Sequence, residues 1–324
     1  MKNLYPLSLS GVTKSPIWGG TRLPREWNKP APDGGTVGES WELTVRQKEM
    51  STVQNGALAG ITVGELLREC PTELMGKTTI SNGEFPLLIK FIDAADRLSV
   101  QVHPDDDYAA RVEKDRGKTE MWYIVDADED AEIICGLTEG FDNAAFVSAL
   151  QKGELMSALG VQKVKAGETY FIPAGLPHAI GKGILIAEIQ QNCDLTYRVY
   201  DYDRRGADGS LRELHIEKAC DVIRPFTEAE IDAIRYSRGL PASREQVLAD
   251  CDYFRTEKQV LSQSPQKLPQ SGYLRHLLCI DGEGMLVCDG IFYPFSRGDS
   301  ILLPACLKDL TLSGSGTALI STAY

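Results

Sequence analysis

The sequence contains no Cys-x-x-Cys pair. Its eight cysteines stand singly at positions 70, 135, 193, 220, 251, 279, 288 and 306, so a thiolate zinc cluster or a thioredoxin-type site has nothing to be built from. No stretch approaches the ~18 uninterrupted apolar residues of a membrane span, and no membrane partner is expected. The first twenty residues carry two lysines but no apolar h-region. Together with the free thiols, this leads to an expected cytoplasmic location. Positive charge is in deficit: 34 Lys and Arg stand against 46 Asp and Glu, a net charge of −12. That balance argues against a nucleic-acid partner, although one or two local cations suffice to hold a small phosphate. No Gly-x-Gly-x-x-Gly follows a strand, and there is no Walker loop and no serine-nucleophile motif.

What remains is an ordinary soluble composition over 324 residues, long enough for two units. Helical pattern is sparse. It is expected over 62–75, broken at Pro71, and over 141–160, where Phe146, Leu150, Leu155 and Leu159 fall near helical spacing. Two more helices are expected, over roughly 211–222 and 227–236, the last with Thr227 and Glu230 as a capping box. Most other segments read as short strands between Gly, Pro and Asp turns, among them 85–94, 98–103, 120–125, 131–137, 168–174, 184–191 and 196–202. The fold class is therefore mainly β, a sandwich or barrel with a small helical insertion at about 137–160. A polar stretch over 237–269 divides a main domain, 1–235, from a smaller β domain, 236–324. The spacing Gly167-x5-Pro173-x-Gly175-x2-His178 returns as Gly298-x5-Pro304-x-Cys306-x2-Asp309. The second unit thus reads as a barrel relative that has lost its site.

Only four histidines exist, at 103, 178, 215 and 276. In 98–103 the period of two turns Ser99, Gln101 and His103 to one side. Unpaired polar groups inside a barrel cost about 1–3 kcal/mol each, and a metal ion would satisfy Gln101 and His103 together. Lys118 and Glu120 share a face of the next strand, and the turn after Pro173 delivers His178. Gln101, His103, Glu120 and His178 make a sulfur-free set suited to Zn2+, with Mn2+, Co2+ or Fe2+ as replacements. His215 and His276 have no companion ligands and read as structural. Asp194 and Asp201 read the same way.

The Gly167–His178 pattern resembles the second signature of the cupin superfamily. Gln101-x-His103 with Glu120 resembles a variant of the first. More narrowly, Pro86-Leu-Leu-Ile-Lys90, Leu98–Asp105, Gly117-Lys118-Thr-Glu120-Met-Trp122, Ile172–His178 and Glu188–Asp201 are similar, in family order, to motifs of the type I mannose-6-phosphate isomerases. Ile17-Trp18-Gly19-Gly20 and Gly38-Glu39-Ser40-Trp41-Glu42 fit as well. The short helical insertion matches the short bacterial form. The resemblance implies a jelly-roll cupin barrel, a degenerate C-terminal cupin-like domain, and metal-dependent interconversion of mannose 6-phosphate and fructose 6-phosphate through an enediol.

That chemistry needs a base reaching C1 and C2, an electrophile for the enediolate, and a cation for the phosphate. Lys118 and Glu188 are rival candidates for the base. Arg198 suits enediolate or phosphate charge. Lys90, alone in an apolar run, needs an anion partner; with Ser99 it is a candidate substrate contact. The partner is a small sugar phosphate, and the chain is expected to be a monomer or homodimer. Two other classes fit less well. An iron dioxygenase calls for a histidine-richer ligand set, and a non-catalytic sugar-binding cupin would have let its ligand positions decay.

Overall fold

The computed structural model describes residues 3–32, 35–46, 49–79, 84–138, 143–206, 209–224, 226–234 and 245–324. The expected boundary at 235/236 lies outside them. Strands are numbered along the chain. The first part holds β1 (Leu7–Ser10), β2 (Val12–Lys14), β3 (Glu39–Leu43), β4 (Leu87–Ala94), β5 (Val100–Val102), β6 (Glu120–Ala127), β7 (Glu132–Leu137), β8 (Leu159–Lys163), β9 (Thr169–Ile172), β10 (His178–Ile180), β11 (Ile184–Gln191) and β12 (Tyr197–Tyr200). The second holds β13 (Glu245–Asp250), β14 (Phe254–Leu261), β15 (Arg275–Cys288), β16 (Ile291–Ser296), β17 (Ser300–Leu303) and β18 (Thr311–Ala323).

Two antiparallel sheets form the first barrel, in the orders β9-β6-β11-β4-β3-β2 and β8-β7-β10-β5-β12. Ile92, Ile124, Ile172, Ile184 and Ile186 of the first sheet meet Ile133 and Ile180 of the second in its interior. Strands β4 and β11 are buried along their whole length because both faces are covered. Ile92 and Ile186 face the barrel, whereas Ile89, Phe91 and Ile189 pack between the two units with Leu278, Leu302 and Leu319. This explains why apolar residues outnumber a simple in–out alternation in both strands. Val100, Val102 and Val199, on the outer face of the second sheet, are covered by Phe146 and Ala149 of the insertion and by Ala219.

The helices fall where the pattern puts them. Val63–Glu69 and Pro71–Met75 divide at Pro71, and Thr62 and Glu65 close a capping box on the first. In the insertion, Asn143–Gln151 is followed by a 3-10 turn at Leu155–Ala158. Helices Ile216–Val222 and Glu228–Ile234 come next, and Thr227 with Glu230 caps the second reciprocally. Two α-helices were not expected, the short Arg22–Glu26 and Asp106–Val112. Asp106–Val112 starts at Asp105, whose carboxylate accepts the Tyr108 amide at 2.8 Å.

The second unit has its own core of Leu277, Leu286, Ile301, Leu310 and Ile320. Its sheet runs β13-β14-β18-β15-β17 and continues into β1, where Leu7 pairs with Leu302. The chain's first described strand is therefore hydrogen-bonded to its last unit. We keep the division near 235 as a proposal about folding units, with β1 as a strap from one to the other.

The internal echo extends to the backbone. Gly167 N–H donates to Ile124 O at 2.8 Å, and Ile124 N–H returns to Glu168 O at 2.9 Å. Gly298 and Cys279, then Cys279 and Asp299, repeat both bonds at 2.9 Å. Leu176 to Pro173 recurs as Leu307 to Pro304, each 3.2 Å. In this register Ile172 lies opposite Glu120, and Leu303 opposite Arg275. A buried arginine thus stands where the first barrel has its carboxylate. Asp309, at the His178 position, is exposed and pairs with Lys267 at 2.8 Å.

Candidate active site

Strand register assembles the site in two rows. On the first sheet Trp41, Lys90, Glu188 and Trp122 lie side by side across β3, β4, β11 and β6. On the second, Arg198, Gln101 and His178 align across β12, β5 and β10. These pairings link residues distant in sequence, and the period of two turns them toward the barrel interior.

Tight turns hold the remaining groups. Gly175 has a φ of 84°, and a Cβ there would meet Val222 O at 2.8 Å. Its N–H donates to His103 O at 2.9 Å, tying the His178 turn to the end of β5. Gly117 packs so closely on the Asp105–Asp106 backbone that a Cβ would lie 2.4 Å from Asp106 N. Lys118 N–H donates to Pro104 O at 2.9 Å, and Thr119 N–H to Gln191 Oε1 at 2.8 Å. The segment bearing Lys118 and Glu120 is thereby fixed at both backbone and side chain.

His103, Glu120 and His178 converge, fully buried, with their ligand atoms within 4.8 Å of one another. The two Nε2 atoms are 3.1 Å apart. Glu120 Oε2 is 3.5 Å from His103 Nε2, and Oε1 is 3.6 Å from His178 Nε2. Gln101 reaches them with its amide, Nε2 lying 3.3 Å from His178 Nε2. His178 Nδ1 lies 2.8 Å from Leu176 O, an acceptor only, so Nδ1 carries the proton. Burial pushes this imidazole down to about 4, and burial aided by Lys118 lowers His103 well below the usual imidazole range. The neutral His178 ring therefore aims a lone pair at a carboxylate. Burial, then Glu188, pushes Glu120 up to about 7. Lone pairs and a carboxylate facing one another in a dry site fit a divalent cation.

A cavity of about 320 Å³ borders this cluster through Gln101 and Lys118; Lys90, Ser99, Glu188 and Arg198 line it too. Of the residues expected at the site, His103, Glu120 and His178 lie outside this lining, in the buried cluster beside it. A larger groove of about 440 Å³ around Arg97, Ile133, Met156 and Tyr202 holds none of them. Lys118 Nζ is 3.1 Å from Glu120 Oε2. Lys90 finds its anion in Glu188, at 3.2 Å, with Glu39 at 3.8 Å and Asp194 at 4.0 Å. Burial works against the Lys90 charge, but these carboxylates outweigh it and hold the ammonium above its usual range. Burial likewise opposes Glu188, yet Lys90 and Lys118 keep its carboxyl below the usual range. Glu188 is thus paired with Lys90 and not with Arg198. Arg198 Nη1 donates to Glu213 O at 2.8 Å. Burial, then the neighbouring Arg212, lowers the guanidinium pKa. Two arginines sharing one cavity wall suit an anion better than each other.

Sequence reasoning missed Trp122, Arg212, Glu39 and the cavity-lining position of Asp194. Arg212 lies in an irregular segment where periodicity carries no signal. Asp194 and Glu39 become legible only once Lys90 is placed.

The fold and site define a two-barrel cupin with an ionisable, sugar-sized cavity beside a His-Glu-His cluster. Residues 7–147 match the catalytic domain of type I phosphomannose isomerase, and residues 244–323 match the mannose-6-phosphate isomerase cupin domain. The chain is 40% identical over 317 residues to mannose-6-phosphate isomerase ManA of Bacillus subtilis, covering 98% of each chain. The crystal structure of a B. subtilis mannose 6-phosphate isomerase superposes with a TM-score of 0.85 at 35% identity, over 98% of this chain and 99% of that one. A mannose 6-phosphate isomerase structure bound with zinc and yttrium shares the fold, with a TM-score of 0.78 at 17% identity, over 98% and 99% of the two chains. The chain belongs to the type I phosphomannose isomerase family.

Proposed function

We propose that this chain interconverts mannose 6-phosphate and fructose 6-phosphate in the 320 Å³ cavity, with a divalent ion, Zn2+ in the first place, beside it. Family membership supports the reaction, and the zinc in a more distant relative supports the choice of metal. The observation that carries the reading is the convergence of three buried ligand groups on one point: Glu120 and the two neutral imidazoles of His103 and His178.

Gln101, through its amide oxygen, with His103, Glu120 and His178 would hold the ion. When bound, the ion supplies Lewis-acid stabilisation of charge on the sugar oxygens. Lys118 and Glu188 both border the cavity, and either can take the C2 proton and return it at C1. Glu188 is ionised and held still by Lys90. Burial opposes the Lys118 charge, but Glu120 and its neighbours hold the ammonium above its usual range, so Lys118 qualifies only once Glu120 no longer supports that charge. Arg198, permanently cationic, stabilises the enediolate or the phosphate, and Arg212 beside it adds a second fork for phosphate. Ser99 offers a hydroxyl on the same wall. Lys90 is committed to carboxylates, which makes it a holder of Glu188 before a contact for phosphate.

The test is metal analysis of protein purified without added metal, combined with fructose 6-phosphate formation from mannose and from glucose 6-phosphate. About one divalent ion per chain and turnover of the mannose ester are expected. His103→Ala and His178→Ala should each stay folded and lose the ion and nearly all activity. Full metal occupancy in either variant would overturn the ligand assignment.

A further inference from the structure

Glu120 and Glu188 are both buried, and one donor lies between them. Trp122 Nε1 is 2.9 Å from Glu120 Oε1 and 3.1 Å from Glu188 Oε2. The indole is fully buried and lies edge-on to His178, with ring centroids 5.4 Å apart at 75°. Each carboxylate has a lysine on its other oxygen, Lys118 on Glu120 and Lys90 on Glu188. Trp122 N–H is therefore the central link of a row that runs Lys118, Glu120, Trp122, Glu188, Lys90. A second tryptophan closes the far end. Trp41 Nε1 donates to Glu39 Oε2 at 2.6 Å, and its ring lies 5.1 Å from Lys90 Nζ.

We propose that Trp122 is a positioning residue that couples the carboxylate of Glu120 to that of Glu188 through one shared indole N–H. The N–H fixes which oxygen of Glu120 faces His178, leaving Oε2 to face His103 and Lys118. It also anchors Glu188 at the angle from which it meets substrate. The wall it builds is single: a change on one carboxylate is felt at the other. This rests on the reading of Glu120 as a ligand and Glu188 as a catalytic group.

Trp122→Phe keeps most of the ring packing and removes the donor. Partners of metal-ligating groups typically contribute 10- to 100-fold in metal affinity. The Zn2+ dissociation constant of Trp122→Phe, measured by chelator competition without substrate, should rise by about that factor. At saturating Zn2+ its kcat should fall about tenfold or more while KM stays within about threefold, since the donor holds a charged group that touches substrate. In a Glu188→Gln background the same substitution should change kcat less than threefold, because groups that act as a unit are not additive. Trp122→His, which restores a ring N–H, should recover part of the metal affinity, and it carries the test if the phenylalanine variant does not fold. Unchanged Zn2+ affinity in both variants, or an equal kcat loss in both Glu188 backgrounds, would overturn the coupling. Wild-type protein that bound no divalent ion would instead overturn the functional reading.

Discussion

Lys90→Met should destabilise the protein strongly, and more so as pH rises. Lys90 and Glu188 are each 3% exposed and sit 3.2 Å apart. Removing one member of a buried pair leaves the other charge uncompensated, which typically costs 3–5 kcal/mol. That is a large part of the roughly 5–15 kcal/mol that keeps a domain folded. Glu39 and Asp194 also lose a partner, but they reach water and add little. The sign follows from Glu188. With Lys90 present, its folded pKa is depressed, so its stabilising contribution is in place above the ordinary carboxylate pKa and is lost as pH falls through the folded value. Without Lys90, burial dominates and raises the folded pKa instead. The penalty then grows as pH rises through the ordinary carboxylate range. The deficit of Lys90→Met should therefore be smaller near pH 4.5 than at pH 8, where it is full. Equilibrium urea unfolding of the chelator-treated protein at both pH values measures it. Lys90→Met/Glu188→Gln should regain most of the loss, because no buried charge is left over. A deficit under about 1 kcal/mol, one independent of pH, or a double variant no more stable than the single would refute this account.

Arg198→Ala should lower kcat by about 10²–10³ with the metal retained, and Arg198→Lys should recover only part of it, because a point charge does not reproduce the guanidinium fork. Lys118→Ala should slow exchange of the C2 proton with solvent, and Lys118→Arg should not restore it; wild-type exchange in Lys118→Arg would make Glu188 the base. Asp309→Ala should leave turnover within a few-fold of wild type and bind no less metal, whereas a hundredfold loss of rate would refute the degenerate second barrel. His276 is buried against Ser300 at 2.8 Å and is lowered by burial, then by Lys29, to about 3. Below its ordinary pKa the unfolded chain takes up a proton that the folded chain refuses, so stability falls from about pH 6.5 toward pH 3. His276→Gln should flatten that fall in urea midpoints, and an unchanged slope would show that the histidine is not its source.

Much of the barrel was legible because its strands report local rules. Alternation in 98–103 put Ser99 and Gln101 on the inward side, and both line the cavity. Leu98 lines it as well, because the strand starts only at Val100 and alternation does not bind the residue before it. The apolar runs of β4 and β11 were legible as strands, but only the packing shows that both of their faces are covered. The Gly167 and Gly298 turns repeat because both need a positive φ, 89° in each case. The helix Asp106–Val112 was missed although its cap, Asp105, and its acidic first turn were in plain view; seven residues hold too few apolar positions for a period to stand out. The pairing of β1 with β17 had no sequence signal, since Leu7 and Leu302 are apolar in an unremarkable way and nearly the whole chain apart.

The site divides along the same line. Ligand-type residues are recognisable one at a time, because histidine and glutamate in a barrel strand are expensive and ask for a reason. The partners of those residues are set by register, which no single strand discloses. Lys90 plainly needed an anion, yet its partners Glu39, Glu188 and Asp194 are all distant along the chain, and only the alignment of β4 with β11 puts Glu188 beside it. The same alignment, carried one strand further to β6, turns Trp122 from an ordinary core residue into the donor between two carboxylates. Alternating charges with tryptophan N–H groups among them let this barrel keep four ionisable groups dry without stranding any one of them. An isolated buried carboxylate would instead take up a proton and cease to serve as base or ligand. The chemistry thus depends on cross-strand register as much as on the residues that perform it. A one-residue slip of β11 against β4 would turn Glu188 out of the barrel and leave Lys90, Trp122 and the neighbouring cluster without the charge that balances them.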